Sequence, residues 1–173
     1  MPTAGEDGID SLLAQHQQIT FLFAQVLSTE GDHKQALFDQ LVALLAVHEA
    51  VEGSVVHPTA AADLPDGGAL VSDRLAEEES ARAALSQLYE LGVAHPEFNQ
   101  RLAELWDDVA THAEAEEQLE FVRLRERSAA DDLARLTAVM LAASPLSATG
   151  TGPPDEVFER TRATLMAATG EQA

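Results

Sequence analysis

The sequence of 173 residues contains no cysteine. Disulfides, cysteine-ligated zinc sites and thiolate-held iron–sulfur clusters are therefore excluded. A single lysine, Lys34, stands among ten basic residues, set against thirty acidic ones, for a formal net charge of −20. A surface of that sign repels nucleic-acid phosphates and anionic membranes, so neither is expected as a partner. Aromatics make up only 5% of the chain, and β-branched runs are few, which disfavours a sheet core. The N-terminal MPTAGEDGID carries no apolar signal core, and no stretch reads as long and apolar enough to cross a bilayer. These absences lead to the expectation of a soluble, cytoplasmic protein.

What is present is alanine and leucine in quantity, within an apolar fraction of 46%. That composition favours packed helices, in a chain sized for one domain with a sizeable core. Hydrophobic periodicity marks four long helices. The first covers about residues 7–28, with Leu12, Leu13, Ile19, Leu22, Phe23 and Val26 on one face. The second runs over about 32–58, and Asp32 followed by Gln35 resembles a capping box at its start. Turn-rich residues 59–68 read as a loop. The third helix spans about 69–93 on Val71, Leu75, Leu85, Leu88 and Leu91. Pro96 suits the first turn of the fourth, which Phe98, Leu102, Leu105, Val109 and Leu119 carry to about residue 127. Ser128 is a candidate cap for a fifth helix over 128–143, residues 144–154 read as a linker, and 155–168 form a last amphipathic helix. At about 1.5 Å per residue each long helix extends roughly 30 Å or more. The expected fold is all-α, an antiparallel up-and-down four-helix bundle with additional C-terminal helices. The bundle is placed at residues 1–127, and a helical extension packed on it at 128–173.

The informative residues interrupt the apolar stripes. His16 shares a face with Leu12, Leu13, Ile19 and Phe23 on the first helix; His48 follows Leu41, Leu44 and Leu45 on the second, with Glu52 one turn on. The fourth helix repeats the pattern with Leu105, Val109, His112 and Glu116. A carboxylate in a core stripe costs several kcal/mol unless compensated, and a bound cation is one effective compensation.

Superposing His48 on His112 also superposes Glu52 on Glu116, Leu41 on Leu105, Leu45 on Val109 and Val55 on Leu119. The same comparison of the first and third helices matches Ile19 to Ala81, Phe23 to Leu85 and Val26 to Leu88, and places His16 on Glu78. His48 follows His16 by 32 residues, and His112 follows Glu78 by 34. The chain reads as two helix hairpins, each carrying one ligand and then His-x-x-x-Glu. The candidate metal ligands are therefore His16, His48, Glu52, Glu78, His112 and Glu116. A lone histidine on an apolar face is more often a satisfied core residue, and one His-x-x-x-Glu is common by chance; two in matched register are not. Glu117 competes with Glu116, which register favours. Mixed imidazole and carboxylate donors suit iron or manganese better than calcium or magnesium, with zinc chemically open. His33 and His95 read as surface residues, and His57, nine positions after His48, falls half a turn off the ligand face.

The segments LLAQHQQI, VHEAVEGSVVHP, LAEEESARAAL and THAEAEEQLEF together resemble the bacterial hemerythrin-like (HHE cation-binding) family over about residues 9–125. Two departures stand out: Glu78 replaces the usual third-helix histidine, and Val122 a proline often found after the fourth-helix motif. The resemblance implies two iron ions, oxo- or hydroxo-bridged, that meet hydrogen peroxide, O₂ or NO. It also implies terminal His16, His48, Glu78 and His112, with Glu52 and Glu116 bridging. Three carboxylates make this set harder than that of the histidine-rich oxygen carriers and stabilise ferric iron. The expected function is catalase-like peroxide decomposition or oxidative-stress defence, with Arg82 or His57 assisting from behind the ligands. The alternative is a non-enzymatic O₂, NO or iron-binding or sensing module.

Overall fold

A computed structural model describes residues 7–148 and 150–170. Residues 1–6 and Thr149, from the expected bundle and linker, and residues 171–173, from the expected extension, lie outside the described residues. Helix α1 covers Gly8–Ser28 and opens on a capping box between Asp7 and Asp10. Arg125, far along the chain, also donates to both of these carboxylates and ties the fourth rod to the start of the first. Helix α2 (Asp32–Val51) passes through a π turn, Glu52–Val56, into α3 (His57–Asp63). Helix α4 is Gly67–Leu91, and α5 (Phe98–Ala115) passes through a second π turn, Glu116–Phe121, into α6 (Val122–Arg127). Helix α7 (Ala130–Ala143), a 3-10 turn at Ser144–Ala148 and α8 (Pro154–Thr169) complete the chain. The described residues are thus all helical, with four long rods joined by short loops and two further helices.

Several details depart from the sequence reading. The second helix opens on Gly31, held at φ 68°, and makes no side-chain cap, so Asp32 and Gln35 form no capping box. Positive φ suits glycine, and a tight link between antiparallel rods needs it here. Residues 59–63 are helical, which confines the loop to Leu64–Asp66. Pro58 interrupts the α ladder, and the chain answers with a π turn in which the His57 N–H reaches the Glu52 carbonyl. The fourth helix begins after Pro96, and Ala129 rather than Ser128 caps α7.

Each π turn inserts one residue and sets back every later position by about 100°. On the fourth rod this turns Leu119 outward, 45% exposed, and brings Glu120 into the core at 0%. Periodicity without the inserted residue had placed Leu119 inside. On α4, which contains no π turn, Leu75 is also exposed although the apolar stripe had placed it inside, and Arg74 is buried beside it.

The core has two apolar clusters. One contains Phe23, Phe38, Leu41, Leu85, Phe98 and Leu102, and the other Ile9, Leu12, Val51, Val55, Phe121 and Leu136. The polar candidates lie along the rods between them. The continuous helix Asp32–Asp63 is long and apolar enough by length and composition to span a membrane, contrary to the sequence reading. Its apolar window is 78% buried inside the protein, which accounts for that character. Helix α7 packs closely on α1. A Cβ on Gly8 would meet the Leu136 side chain at 2.5 Å. Helix α8 buries Val157, Phe158 and Leu165 and lies mainly against α2, with further contact to α4.

Inserting an alanine after Gly53, which is exposed within the first π turn, adds a residue that the turn does not already absorb and should rotate Val55, Val56, His57 and Ala60 by about 100° out of their contacts. A loss of about 2–5 kcal/mol is expected, as for large core truncations. Urea unfolding measures it, while far-ultraviolet circular dichroism should show helix content retained.

Candidate metal centre

Each long rod contributes to one polar cluster: α1 supplies His16, α2 His48, α4 Glu78 and α5 His112, while Glu52 and Glu116 are the first residues of the two π turns. π turns recur at functional sites because they re-aim side chains without breaking the helix. His16, His48, Glu52 and Glu116 offer ligand atoms within 4.8 Å of one another, and Glu52, Glu78 and His112 form a second such group. Glu52 is common to both. Glu116 faces both as well, with Oε2 3.3 Å from His16 Nε2 and Oε1 3.1 Å from His112 Nε2. All six residues named from the sequence therefore converge. Five are buried, and His112 is half-buried at the edge.

The imidazoles are oriented from behind. His16 Nδ1 donates to Glu117 Oε1 at 2.8 Å, His48 Nδ1 to Gln15 Oε1 at 2.9 Å, and His112 Nδ1 to Glu77 Oε2 at 2.7 Å. An acceptor on Nδ1 fixes the tautomer and turns the Nε2 lone pair inward. His16 Nε2 and His48 Nε2 then face each other at 3.0 Å, a repulsive arrangement unless a shared proton or a cation lies between them. All four carboxylate oxygens of Glu52 and Glu116 are buried without a hydrogen-bond partner. Such orphaned acceptors are costly, and a cation satisfies lone pairs and carboxylates together. The donor set fits a pair of metal ions. Glu117, the competitor of Glu116, supports His16 from outside the cluster.

Charge within the cluster is uneven. Burial holds the His48 imidazole down at about 4, so it is neutral at ordinary pH. Burial, and then the charges of Glu116 and Glu78, push the Glu52 carboxyl well above the usual range. Burial would also raise Glu116, but the neighbouring His112 and His16 hold it well below. His112 is raised to about 10: burial opposes the charged form, and Glu116, Glu52 and Glu77 outweigh it.

Both assisting residues expected from the sequence reach Glu78. Arg82 donates to Glu49 at 2.7 Å and lies 3.6 Å from Glu78 Oε2. His57 is buried and donates from Nε2 to Glu78 Oε1 at 2.6 Å. The inserted residue of the first π turn brings it round from the half-turn offset that a plain α-helix gives. Burial lowers His57, but Glu120 and Glu78 outweigh it and raise it to about 11. Sequence reasoning missed Glu120, whose signal was its place one turn after Glu116. It also missed Gln15, Glu77 and Glu49; nothing in periodicity separates these from ordinary surface residues. The Glu49 carboxyl is pushed well above the usual range by burial and then by Glu78, despite Arg82. His33 and His95 are exposed.

A cavity of about 320 Å³ reaches this cluster between α1, α4 and α5. Ile19, Leu45, Ala81, Trp106 and Val109 give it apolar walls, and His16, His48, Glu78 and His112 form its inner end.

A family model described as Hemerythrin HHE cation binding domain matches residues 7–124. The fold is similar to a crystal structure of a hemerythrin HHE cation-binding domain-containing protein from Mycobacterium kansasii. That similarity has a TM-score of 0.70 and covers 94% of this chain and 99% of the other at 19% identity. No curated protein matches the chain in sequence.

The raised groups set a pH dependence for the metal-free protein. Glu52, His57 and His112 bind protons more tightly folded than unfolded, so their stabilisation is complete at low pH and is lost as pH rises toward 10 or 11. His48, lowered to about 4, opposes this only below its ordinary value of 6.5. Urea midpoints of the metal-free protein should therefore fall from pH 7 to pH 9, and Glu52→Gln should make that slope shallower while reducing bound metal. A midpoint that rises across this window contradicts the charge assignment.

Proposed function

The chain belongs to the hemerythrin HHE cation-binding domain family, and we propose that it is a non-haem di-iron protein that reacts with hydrogen peroxide or O₂. The reading favoured is catalase-like peroxide decomposition in oxidative-stress defence. Domains of this family bind metal cations, usually iron. The observation that carries the proposal is the inward convergence of three imidazoles and three carboxylates, with two of the carboxylates lacking any hydrogen-bond partner. His16 and His48 would hold one cation, Glu78 and His112 the other, and Glu52 and Glu116 would bridge.

Two iron ions in this cage would exchange the two electrons that pass when one peroxide is reduced to water and another is oxidised to O₂. The chain's own residues supply the rest. Carboxylates equal imidazoles in number, a hard anionic set that favours the ferric state over reversible oxygen carriage. Glu117, Gln15 and Glu77 keep the three rings from turning. The apolar cavity walls admit a small neutral molecule and limit bulk water near the cluster.

One observation favours a second reading, a non-enzymatic O₂, NO or iron-binding or sensing module. Arg82 lies 3.6 Å from Glu78 and also 5.6 Å from the centre of the Phe158 ring on α8. A change of ligand state at Glu78 would reach the C-terminal helix through this one side chain.

Peroxide consumption and O₂ release by the iron-reconstituted protein test the first reading, with free iron at equal concentration as the control. Turnover no faster than that control ends the catalytic claim. A metal-dependent change in amide exchange along α8, without turnover, would support the sensing reading. Glu52→Ala and Glu116→Ala should each lose most bound iron by elemental analysis, because the bridging group disappears.

A further inference from the structure

Glu78 differs from the other candidate ligands in what holds it. The three imidazoles are oriented by acceptors, whereas Glu78 is gripped by donors: His57 Nε2 at 2.6 Å on Oε1, and Arg82 at 3.6 Å from Oε2. Behind His57 lies Glu120, with Oε1 3.6 Å from Nδ1. Glu120 is fully buried, and neither of its oxygens has a hydrogen-bond partner. Neither His57 nor Glu120 belongs to the two groups of convergent ligand atoms.

We propose that His57, seated on Glu120, is a positioning residue that keeps Glu78 bound to the second cation through one oxygen, leaving an exchangeable position for a small anion or peroxide beside His112. This rests on reading the six converging residues as metal ligands. A carboxylate that chelates through both oxygens fills two coordination positions. An oxygen committed to an N–H donor at 2.6 Å has much of its basicity directed to that hydrogen and makes a poorer ligand. Glu52 and Glu116, which carry no such donor, retain both oxygens for bridging. Glu120 faces the other side of the ring: its approach to Nδ1 at 3.6 Å is an ion contact, neither atom has a hydrogen-bond partner, and this buried carboxylate draws the ring toward itself while Nε2 points at Glu78. Glu78 and His112 line the apolar cavity and His57 does not, so the open position faces the space through which a small molecule arrives. His57 acts on that molecule only through Glu78.

Azide is a suitable probe, followed by absorption of the iron-loaded protein while elemental analysis tracks iron content. Wild-type protein should hold two irons and bind azide saturably. The paired replacement His57→Phe with Glu120→Leu removes the buried pair without stranding a charge. It should keep its iron and lose azide affinity by about tenfold or more, the effect typical of residues that orient metal ligands. His57→Gln, whose amide N–H can donate to the same oxygen, should recover most of the affinity. Wild-type azide affinity in the paired variant overturns the proposal. Loss of iron from that variant also overturns it, since His57 or Glu120 would then be needed for binding metal. Should the paired variant not fold, Glu120→Gln alone is expected to show an intermediate loss, and unchanged affinity there is equally decisive. Wild-type protein that takes up no iron defeats the metal reading itself, a result separable from every azide outcome.

Discussion

Two carboxylates, Glu52 and Glu116, sit fully buried where two apolar clusters meet, and none of their oxygens has a hydrogen-bond partner. Desolvating one such group costs several kcal/mol, a large fraction of the stability of an ordinary domain. The surrounding arrangement answers that cost. Imidazoles stand opposite the carboxylates, acceptors behind the imidazoles orient their rings, and a cation bound between them satisfies inward nitrogens and carboxylates together. Without a bound metal, the carboxylates are left to ion contacts with the imidazoles, such as those of Glu116 with His16 at 3.3 Å and His112 at 3.1 Å.

The backbone serves the same end. Both bridging candidates begin π turns, so each His-x-x-x-Glu pair closes on a local change of helical register. In the first turn the cause is visible in Pro58, whose missing N–H and bulky ring the α ladder does not accommodate. The second turn, Glu-Glu-Gln-Leu-Glu-Phe, has no proline or glycine, and no single residue in it explains the change. The consequences are parallel: His57 comes round to Glu78, and Glu120 enters the core behind it. The two hairpins are alike in register but unequal in chemistry, since one side is held by His16 and His48 and the other by Glu78 and His112.

The C-terminal helices add a connection that a plain four-helix bundle lacks. Helix α8 lies along α2 and reaches α4, and Arg82 touches Glu49, Glu78 and the ring of Phe158 from one side chain. A bundle alone would keep the ties of Arg82 to Glu49 and Glu78 but lack the Phe158 ring against it. With α8 in place, the guanidinium lies between the cluster and the extension, so charge at Glu78 and packing at Phe158 are physically linked.

Much of this was legible in the order of residues. Four amphipathic rods, the matched His-x-x-x-Glu pairs and the choice of Glu78 from Glu77-Glu78-Glu79 follow from periodicity and internal register. These are properties of neighbours on one helix, set by a rotation of about 100° per residue. What lay outside that reach was every feature in which the rotation changes or a second rod decides. Leu119 looked buried and Glu120 went unremarked because nothing local announces an inserted residue; His57 looked displaced for the same reason. Gln15, Glu77 and Glu117 are ordinary polar residues until packing places them behind a ring. The amino-acid order determined which side chains could face the interior, because helical spacing is local. Only the packed structure decided which of them meet and what holds them in place, because those contacts join residues from 21 to 101 positions apart.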